Sequence, residues 1–336
     1  MASVPIARGG DHPSRGDRRD HRPGGFGGRR RVRTVDVMQP SLSVEGLTKR
    51  YGHVVAVDDL TFDVRPGVVT GLVGPNGSGK STTMRCALGL VHPTAGGVVV
   101  DGTRYVELAS PLNHVGALLH ADALRGDLSG RDHLRWLAAS NRLPARRADE
   151  LTEAVGLAGA ARRSAGGYSL GMRQRLGIAA ALLGDPPILL FDEPMNGLDP
   201  EGMVWLRQLL RERASEGRIV LLSSHLMNEL RDLADRLVVI DRGRLRADTT
   251  VEELLASQPD VRTVVHTPQR TEVMAALARA GASVTATGAD SVEVDGLTPE
   301  RIVEIVARQG LALHGLDASG SSLESTYLRL VSEHRP

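Results

Sequence analysis

The chain has 336 residues, enough for two domains, and its hydrophobic fraction of 41% and charged fraction of 24% are those of an ordinary folded protein. Its formal net charge of +1 gives no general argument for a polyanionic partner such as nucleic acid or an acidic membrane. Cys86 is the only cysteine, which excludes a disulfide within the chain and favours a reducing compartment. No apolar run approaches the ~20 residues that a membrane-spanning helix needs.

Residues 1 to 37 form a segment rich in glycine, arginine and proline. This composition buries too little apolar surface to offset the chain entropy lost on folding, so we predict a disordered extension. Two interpretations of it remain open. It is an arginine-rich tether to RNA or anionic lipid, or it consists of dispensable residues ahead of a translation start at Met38. The second is favoured because basic tails of this kind are common.

The first patterned stretch alternates apolar and polar residues. Leu42 and Val44 begin it, Tyr51 and a glycine form a turn, and a second alternating run covers residues 54–64. We predict a small antiparallel sheet here. Tyr51 is expected in the loop between the strands, where an exposed aromatic ring is suited to stacking on a nucleotide base. Capping of the small sheet by the same ring is an equal alternative.

A glycine-rich loop follows the apolar run at residues 68–73 and leads into a helix that begins near Lys80. The glycines allow the loop to wrap closely and to direct several backbone N–H groups at one anion, together with the positive end of the helix dipole. Lys80 is expected to reach the β- and γ-phosphates of a nucleoside triphosphate, and the Ser81 hydroxyl to hold Mg²⁺. The loop residues predicted to bind the nucleotide are Gly74, Pro75, Asn76, Gly77, Ser78, Gly79, Lys80, Ser81 and Thr82.

Strands are predicted at residues 97–102 and 115–119, and helical periodicity follows them. Residues 121 to about 185 are therefore predicted to form a helical subdomain inserted between strands of the sheet. Ser169 and Gly171 precede a helix that is predicted to run from Leu176 to Leu183. They form an ordinary helix N-cap, or a second anion site that combines a hydroxyl with a helix N-terminus.

Two consecutive carboxylates, Asp192 and Glu193, end a predicted buried parallel strand at residues 187–191. In an open α/β sheet ligands bind at the carboxyl ends of the strands, beside the phosphate loop. Asp192 is therefore predicted to hold Mg²⁺, and Glu193 to polarise the attacking water.

A helix at residues 200–215 and a strand at residues 218–223 are predicted next. His225 follows that strand at the same edge of the sheet, which makes it a candidate for a hydrogen bond to a γ-phosphate. A hairpin at residues 237–247 closes this part of the chain.

Residues 260 to 336 are predicted to form a small α+β accessory domain. Short strands are expected at 261–267, 282–287, 291–295 and 311–316, with helices at 271–280 and 298–308 between them. Thr298 is the expected N-cap of the second helix, with a proline at its first position. The order β-α-β-β-α-β suggests a ferredoxin-like domain. A last helix, at residues 322–331, is expected to pack on it.

Taken in chain order, these motifs resemble those of an ATP-binding cassette (ABC) ATPase over residues 42 to 255. The glycine-rich loop is similar to the Walker A motif and residues 188–192 to the Walker B strand. The resemblance implies that Glu193 is the catalytic glutamate, acting with His225 as the switch histidine and with Lys80. It assigns residues 196–199, with Asp199, to the D-loop at the nucleotide, and it favours Tyr51 as the aromatic that stacks on adenine.

The segment from Tyr168 to Met172 occupies the position of the family's signature, usually written LSGGQ, and departs from it. Leu170 replaces a glycine and Met172 a polar residue, whereas Ser169 and Gly171, the expected phosphate contacts, are retained. His120 stands where the family has a loop glutamine, and a neutral imidazole nitrogen can still take a water on Mg²⁺. The implied fold is a P-loop NTPase cassette of the α/β class with a mixed sheet, an antiparallel β subdomain and an inserted helical subdomain.

The resemblance also implies a function. ABC ATPases use ATP and Mg²⁺, and two cassettes pack head to tail so that each ATP lies between one Walker A loop and the other cassette's signature. One cassette per chain then requires a second, most simply another copy. The C-terminal extension is similar to that of drug- and antibiotic-resistance exporters, which implies a separately encoded membrane-spanning permease and a place on the inner face of the cell membrane.

Two other functions are weighed against the transporter. A soluble or regulatory ABC ATPase not engaged in transport remains the alternative, because His120 and Leu170 suggest altered coupling. A role on nucleic acid or ribosomes is disfavoured, since such family members usually carry two cassettes, long coiled-coil insertions or zinc sites. The sequence has one cassette, one cysteine and no sustained heptads, so no specific nucleic-acid partner is expected.

Overall fold

The computed structural model describes residues 39–256 and 262–319, together with Leu323 and Tyr327. The predicted disordered extension, residues 1–37, lies outside the described part of the chain. The strands are β1 Leu42–Tyr51, β2 Val54–Val64, β3 Val69–Val73, β4 Ala95–Val100, β5 Val115–Leu118, β6 Ile188–Asp192, β7 Ile219–Ser224, β8 Arg236–Asp241, β9 Arg244–Thr250, β10 Arg262–His266, β11 Ser283–Ala286, β12 Ser291–Asp295 and β13 Gly315–Ser319. The α-helices are α1 Lys80–Ala87, α2 Gly130–Ser140, α3 Ala145–Ala154, α4 Leu170–Ala181, α5 Pro200–Ser215, α6 Met227–Arg231, α7 Val251–Ala256, α8 Arg270–Arg279 and α9 Pro299–Arg308.

The first sheet is antiparallel and has the strand order β2-β1-β4, as the alternating pattern predicts. Leu42 and Val44 of β1 are buried, and so are Leu60 and Phe62 of β2, because alternate side chains of a strand point to the same face. Tyr51 was expected in the loop but is the last residue of β1, where it pairs with the first residue of β2. The tyrosine ring is therefore held at the end of a strand.

The central sheet has the strand order β5-β6-β7-β3-β8-β9 and is mixed, since β9 runs antiparallel to β8. Strands β3, β6 and β7 are buried along their whole length, which explains their continuous apolar sequences. These three strands are parallel, and Ser223 pairs with Asp192 while Ser224 pairs with Val73. Their carboxyl ends, followed by the glycine-rich loop, Glu193 and His225, therefore meet at one edge of the sheet.

The helical subdomain lies between β5 and β6 in the chain and contains α2, α3 and α4. The predicted start of α4 at Leu176 is wrong, because the helix begins at Leu170, inside the segment with the signature position. The Ser169 hydroxyl caps it by accepting a hydrogen bond from the Met172 N–H at 3.3 Å. Tyr168, just before the cap, is buried and donates a hydrogen bond to the Ala160 carbonyl at 2.8 Å.

The C-terminal elements follow the predicted order β10-α8-β11-β12-α9-β13, and their sheet is antiparallel with the strand order β11-β12-β10-β13. Thr298 caps α9 through the Arg301 N–H, as predicted. The last strand begins at Gly315 and not at Leu311, because the Ala312 backbone bonds to side chains: its N–H donates to Gln269 Oε1 at 2.7 Å, and its carbonyl accepts from Thr267 Oγ1 at 2.7 Å. The ferredoxin-like assignment of this part stays a prediction.

Of the predicted last helix, residues 322–331, only Leu323 and Tyr327 are among the described residues, and both are helical. The expectation that this segment packs on the C-terminal domain is wrong for these two side chains. Leu323 is fully buried in the core around the central sheet, in the cluster that also contains Val251 and Leu254 of α7, and Tyr327 packs against that cluster. Burial, with a further contribution from the Asp241 carboxylate, raises the pKa of Tyr327 to about 12.

Candidate functional site

The glycine-rich loop between β3 and α1 requires glycine at specific positions. Gly79 is the N-cap of α1 with φ of 109°, a value that residues with a side chain rarely adopt. A Cβ on Gly79 would lie 2.6 Å from the Ala56 carbonyl oxygen, and one on Gly74 would lie 2.2 Å from the Ile240 carbonyl oxygen. The buried Ser78 hydroxyl has no hydrogen-bond partner among the described residues. The loop is thus a tight backbone cradle with donors available to an anion.

Lys80 lies inside this cradle with only 5% of its surface exposed. Its Nζ donates to the Gly74 carbonyl at 2.7 Å and to the Pro75 carbonyl at 3.3 Å, and it lies 3.8 Å from Glu193 Oε1. Burial lowers the pKa of Lys80, while the Glu193 and Asp192 carboxylates act in the opposite direction. The ammonium is therefore placed between the loop and the predicted catalytic carboxylate.

Asp192, Glu193 and Ser223 form one hydrogen-bonded unit at the ends of β6 and β7. The Ser223 hydroxyl donates to Asp192 Oδ1 at 2.5 Å and accepts from the Glu193 N–H at 2.9 Å. Glu193 has a φ of 50°, so its backbone is held in the left-handed region, which residues with a side chain rarely adopt. Sequence reasoning missed Ser223, although a serine at the end of a fully buried strand beside the carboxylates was a usable signal.

Two further side chains hold the Glu193 segment. His225 Nδ1 lies 2.9 Å from Glu193 Oε2, and because an ionised carboxylate only accepts, this nitrogen carries the proton. Gln174 of α4 is buried, and its Nε2 donates to the Pro194 carbonyl at 2.8 Å. Sequence reasoning predicted His225 at this edge but missed Gln174, whose position depends on how α4 packs.

A cavity of about 400 Å³ lies between the glycine-rich loop and Glu193. Its lining includes Val54, Ala56, Asn76, Lys80, Thr82 and Glu193. Tyr51, which is 46% exposed, pairs across the strands with Val54, a residue of this lining. A larger cavity of about 610 Å³ lies along the outer face of α5, but none of the predicted site residues lines it. The chemistry of the linings favours the smaller cavity as the functional one.

Ten predicted site residues are not in the lining of this cavity: Tyr51, Gly74, Pro75, Ser78, His120, Ser169, Gly171, Asp192, Asp199 and His225. Ser169 caps α4, and Asp199 caps α5 by accepting from the Gly202 N–H at 2.8 Å. His120 Nε2 lies 2.7 Å from Arg85 Nη2, and since arginine only donates, this nitrogen accepts and cannot also accept from a water. The structure therefore brings together the loop, Asp192, Glu193 and His225. The signature segment does not take part in these contacts within one chain.

Comparisons with known proteins identify a family whose members bind ATP, as the residues of this site suggest. A family model described as ABC transporter matches residues 57–196. The uncharacterized ABC transporter ATP-binding protein YdbJ of Bacillus subtilis (strain 168) is 33% identical over 303 residues, which cover 88% of this chain and 97% of that protein. The chain belongs to the family of ABC transporter ATP-binding proteins.

Other relatives of the ATP-binding protein point to the same family. The daunorubicin resistance ATP-binding protein DrrA3 of Streptomyces coeruleorubidus is 40% identical, over 64% of this chain and 70% of that one. A solved structure of an ATP binding subunit of an ABC transporter has 29% identity and a TM-score of 0.59, and covers 65% of this chain and 92% of that chain. Residues 261–324 match a separate family model, a domain of unknown function (DUF8746).

The predicted magnesium ligands of the cassette are Ser81 and Asp192. Among residues 39–256 and 262–319, no group of three or more His, Cys, Asp or Glu side chains could hold a metal ion by itself. This fits Mg²⁺ bound with a nucleotide, because Mg²⁺ keeps several waters and takes one or two protein oxygens together with substrate phosphates. Ser81 is half-buried in the lining of the cavity, and Asp192, which is 8% exposed, directly precedes Glu193 of the same lining.

In the described part of the cassette and its C-terminal extension, no helix is long and apolar enough to cross a membrane.

The exposed Leu170 side chain of the signature segment contacts the D-loop. A Cβ on Gly197 would lie 2.4 Å from Leu170 Cδ2, so the leucine occupies the space above that glycine. The departure from the family's signature thus makes an apolar contact between the signature segment and the D-loop.

Proposed function

We propose that this chain binds and hydrolyses ATP as the nucleotide-binding subunit of a bacterial ABC exporter that moves a drug, an antibiotic or another small molecule. The observation that carries the proposal is the arrangement of Lys80, Asp192, Glu193 and His225 around one glycine-rich loop. The daunorubicin resistance relative supports the choice of an exporter. The C-terminal α+β part is consistent with the exporter-type resemblance of the sequence.

Each side chain has a defined task in the proposed hydrolysis. The loop N–H groups and Lys80 bind the phosphates, and Mg²⁺ held by Ser81 and Asp192 would neutralise the charge of the phosphate oxygens. Glu193 accepts the proton of the attacking water, while the His225 Nδ1–H keeps the carboxylate oriented. Ser223 fixes the backbone of Glu193 relative to Asp192. The products are ADP and inorganic phosphate.

The site is completed, in this proposal, by a second copy of the chain. Ser169, Gly171 and Asp199 do not line the chain's own cavity, yet Ser169 and Asp199 each stand at the N-terminus of a helix, where backbone donors favour an anion. A head-to-tail dimer would bring them to the partner's ATP. Loss of the γ-phosphate would then open the dimer and move an attached permease at the inner face of the membrane.

The experiment that tests the transporter is co-expression with a candidate membrane-spanning permease. We expect the two to purify together, and the ATPase activity of the complex to exceed that of the cassette alone. Lys80→Ala is the matched control that should remove this activity. If nucleic acid stimulates the ATPase and the membrane chain does not, the exporter proposal fails.

A further inference from the structure

Lys49 lies over the ring of Tyr51, and nothing in the proposed hydrolysis uses it. The chain carries 41 lysines and arginines, of which only Lys49 and Lys80 are lysines. Lys49 lies two residues before Tyr51 on β1, so both side chains project from the same face of the strand. Its Nζ lies 4.9 Å from the centre of the Tyr51 ring and donates to the His92 carbonyl at 2.8 Å.

The end of β1 is tied to the segment that leaves α1. The Thr94 N–H donates to the Thr48 carbonyl at 2.7 Å, and the Arg50 N–H donates to Thr94 Oγ1 at 3.0 Å. The bond from Lys49 to His92 is a third link between the same two segments. These links join the end of β1, which carries Tyr51, to residues 92–94, which follow α1 in the chain.

We propose that Lys49 is a positioning residue for recognition of the adenine base. This rests on the proposed binding of ATP, with Tyr51 as the stacking partner. The Lys49 ammonium covers part of the Tyr51 ring, and the remaining surface, nearly half of the residue, is open to a purine. A cation over an aromatic ring holds the ring by its quadrupole. A ring already held in place loses less side-chain entropy when the base stacks on it.

A direct action on the phosphates is the competing explanation for any effect of Lys49. The structure disfavours it, because within the described part of the chain the Lys49 ammonium is directed to the His92 carbonyl and to the Tyr51 ring. The two explanations differ in the ligand they affect: a positioning role changes binding of the base, and a charge effect changes binding of any polyphosphate.

The test compares ATP with inorganic tripolyphosphate, which has no base, in binding measurements on the full chain. Lys49→Met should weaken ATP binding by about two- to fivefold, the range expected for a cation–π contact at an exposed site. It should leave tripolyphosphate binding unchanged. Lys49→Arg should retain ATP binding, because a guanidinium also packs over an aromatic ring and also donates. Lys49→Gln repeats the loss of charge with a second side chain if the methionine variant unfolds.

The role through the tyrosine is tested in a Tyr51→Ala background, where Lys49→Met should cause no further loss of ATP binding. A loss that persists there, an equal loss for tripolyphosphate, or unchanged ATP binding in Lys49→Met would overturn the inference. Failure of the proposed function would give a different experimental result. It would appear as a wild-type chain that binds no ATP, or as Lys80→Ala binding ATP like the wild type.

Discussion

Ser223 donates a hydrogen bond from its hydroxyl to Asp192 Oδ1 over 2.5 Å. The two residues are paired across the parallel strands β6 and β7, so the sheet register itself brings the hydroxyl to the carboxylate. The Ser223 Oγ also accepts a hydrogen bond from the Glu193 N–H, and Glu193 has a positive φ. One serine thus joins the predicted metal ligand to the strained backbone of the predicted catalytic base.

Ser223→Ala is expected to lower the ATP turnover number about tenfold, since removal of one positioning contact at an active site costs roughly this much. It should also lower the free energy of unfolding by about 1–3 kcal/mol, because the Glu193 N–H and a buried carboxylate each lose a partner. Steady-state ATPase assays and urea unfolding measure the two effects. Ser140→Ala, at an exposed position on α2, is the matched control. Wild-type turnover in Ser223→Ala would refute the positioning role.

Gly74→Ala tests the close packing of the phosphate loop. The added Cβ would lie 2.2 Å from the Ile240 carbonyl oxygen, which belongs to the backbone of β8 and cannot move without distorting the strand. We expect loss of ATP binding by at least about tenfold and a destabilised fold, which nucleotide titration and thermal unfolding would show. Gly97→Ala is the control, because nothing lies within 4 Å of its added Cβ. Equal affinities of the two variants would contradict the geometry.

The sequence was sufficient to predict those site residues that belong to a local motif. The spacing of the glycine-rich loop, the apolar strand before Asp192 and the histidine after β7 led to Lys80, Glu193 and His225, which the structure brings together. The partners of Ser223 and Gln174 depend on the pairing and packing of segments that are distant in the sequence, so the position of Ser223 at a strand end was a signal for the residue but not for its contacts.

The same limit explains the errors in the fold. The start of α4 was placed too late because Leu170 and Gly171 carry no apolar periodicity, and the Ser169 cap decides the boundary. The last helix was assigned to the nearest domain in sequence. Leu323 instead packs in the core around the central sheet. Which core a side chain enters depends on the fit of its shape in three dimensions, and distance along the sequence does not determine it.

Leu323→Ala tests the docking of the C-terminal segment on the cassette. Because Leu323 is fully buried, the substitution should leave a cavity and lower the free energy of unfolding by about 2–5 kcal/mol. Leu90→Ala is the control, since Leu90 is 66% exposed, and should change the stability by less than about 0.5 kcal/mol. Urea unfolding of both variants decides the point. A change in Leu323→Ala as small as in the control would show that this contact does not hold the segment.

Tyr327→Phe tests the same contact through pH. The pKa of Tyr327 is raised from 10 to about 12 in the folded state, mainly by burial. A raised folded pKa gives a contribution to stability that is fully present below the unfolded pKa of 10 and is lost as the pH rises from 10 to about 12. The unfolding temperature of the wild type should therefore fall more steeply than that of Tyr327→Phe in this window. Parallel curves between pH 10 and 12 would contradict the burial of the phenol.

Glu193→Gln separates binding of ATP from its hydrolysis. The amide keeps the size of the carboxylate but cannot accept the proton of the attacking water, so turnover should fall by at least about a hundredfold while ATP binding remains. A radioactive phosphate-release assay and a nucleotide titration measure the two quantities. Unchanged turnover would remove Glu193 from its proposed role. Because this variant should still bind ATP, it can also be used to test whether a second copy of the chain completes the site.

The most direct test of the two-copy site is the mass of Glu193→Gln in solution, measured by light scattering with ATP and Mg²⁺ present. The proposal predicts that ATP doubles the mass from that of the 35.9 kDa protomer, since unhydrolysed ATP keeps its contact with Ser169 of the other copy. Adding Ser169→Arg to the same chain should return the mass to that of the protomer. A Glu193→Gln chain that binds ATP and still has the protomer mass would contradict the account.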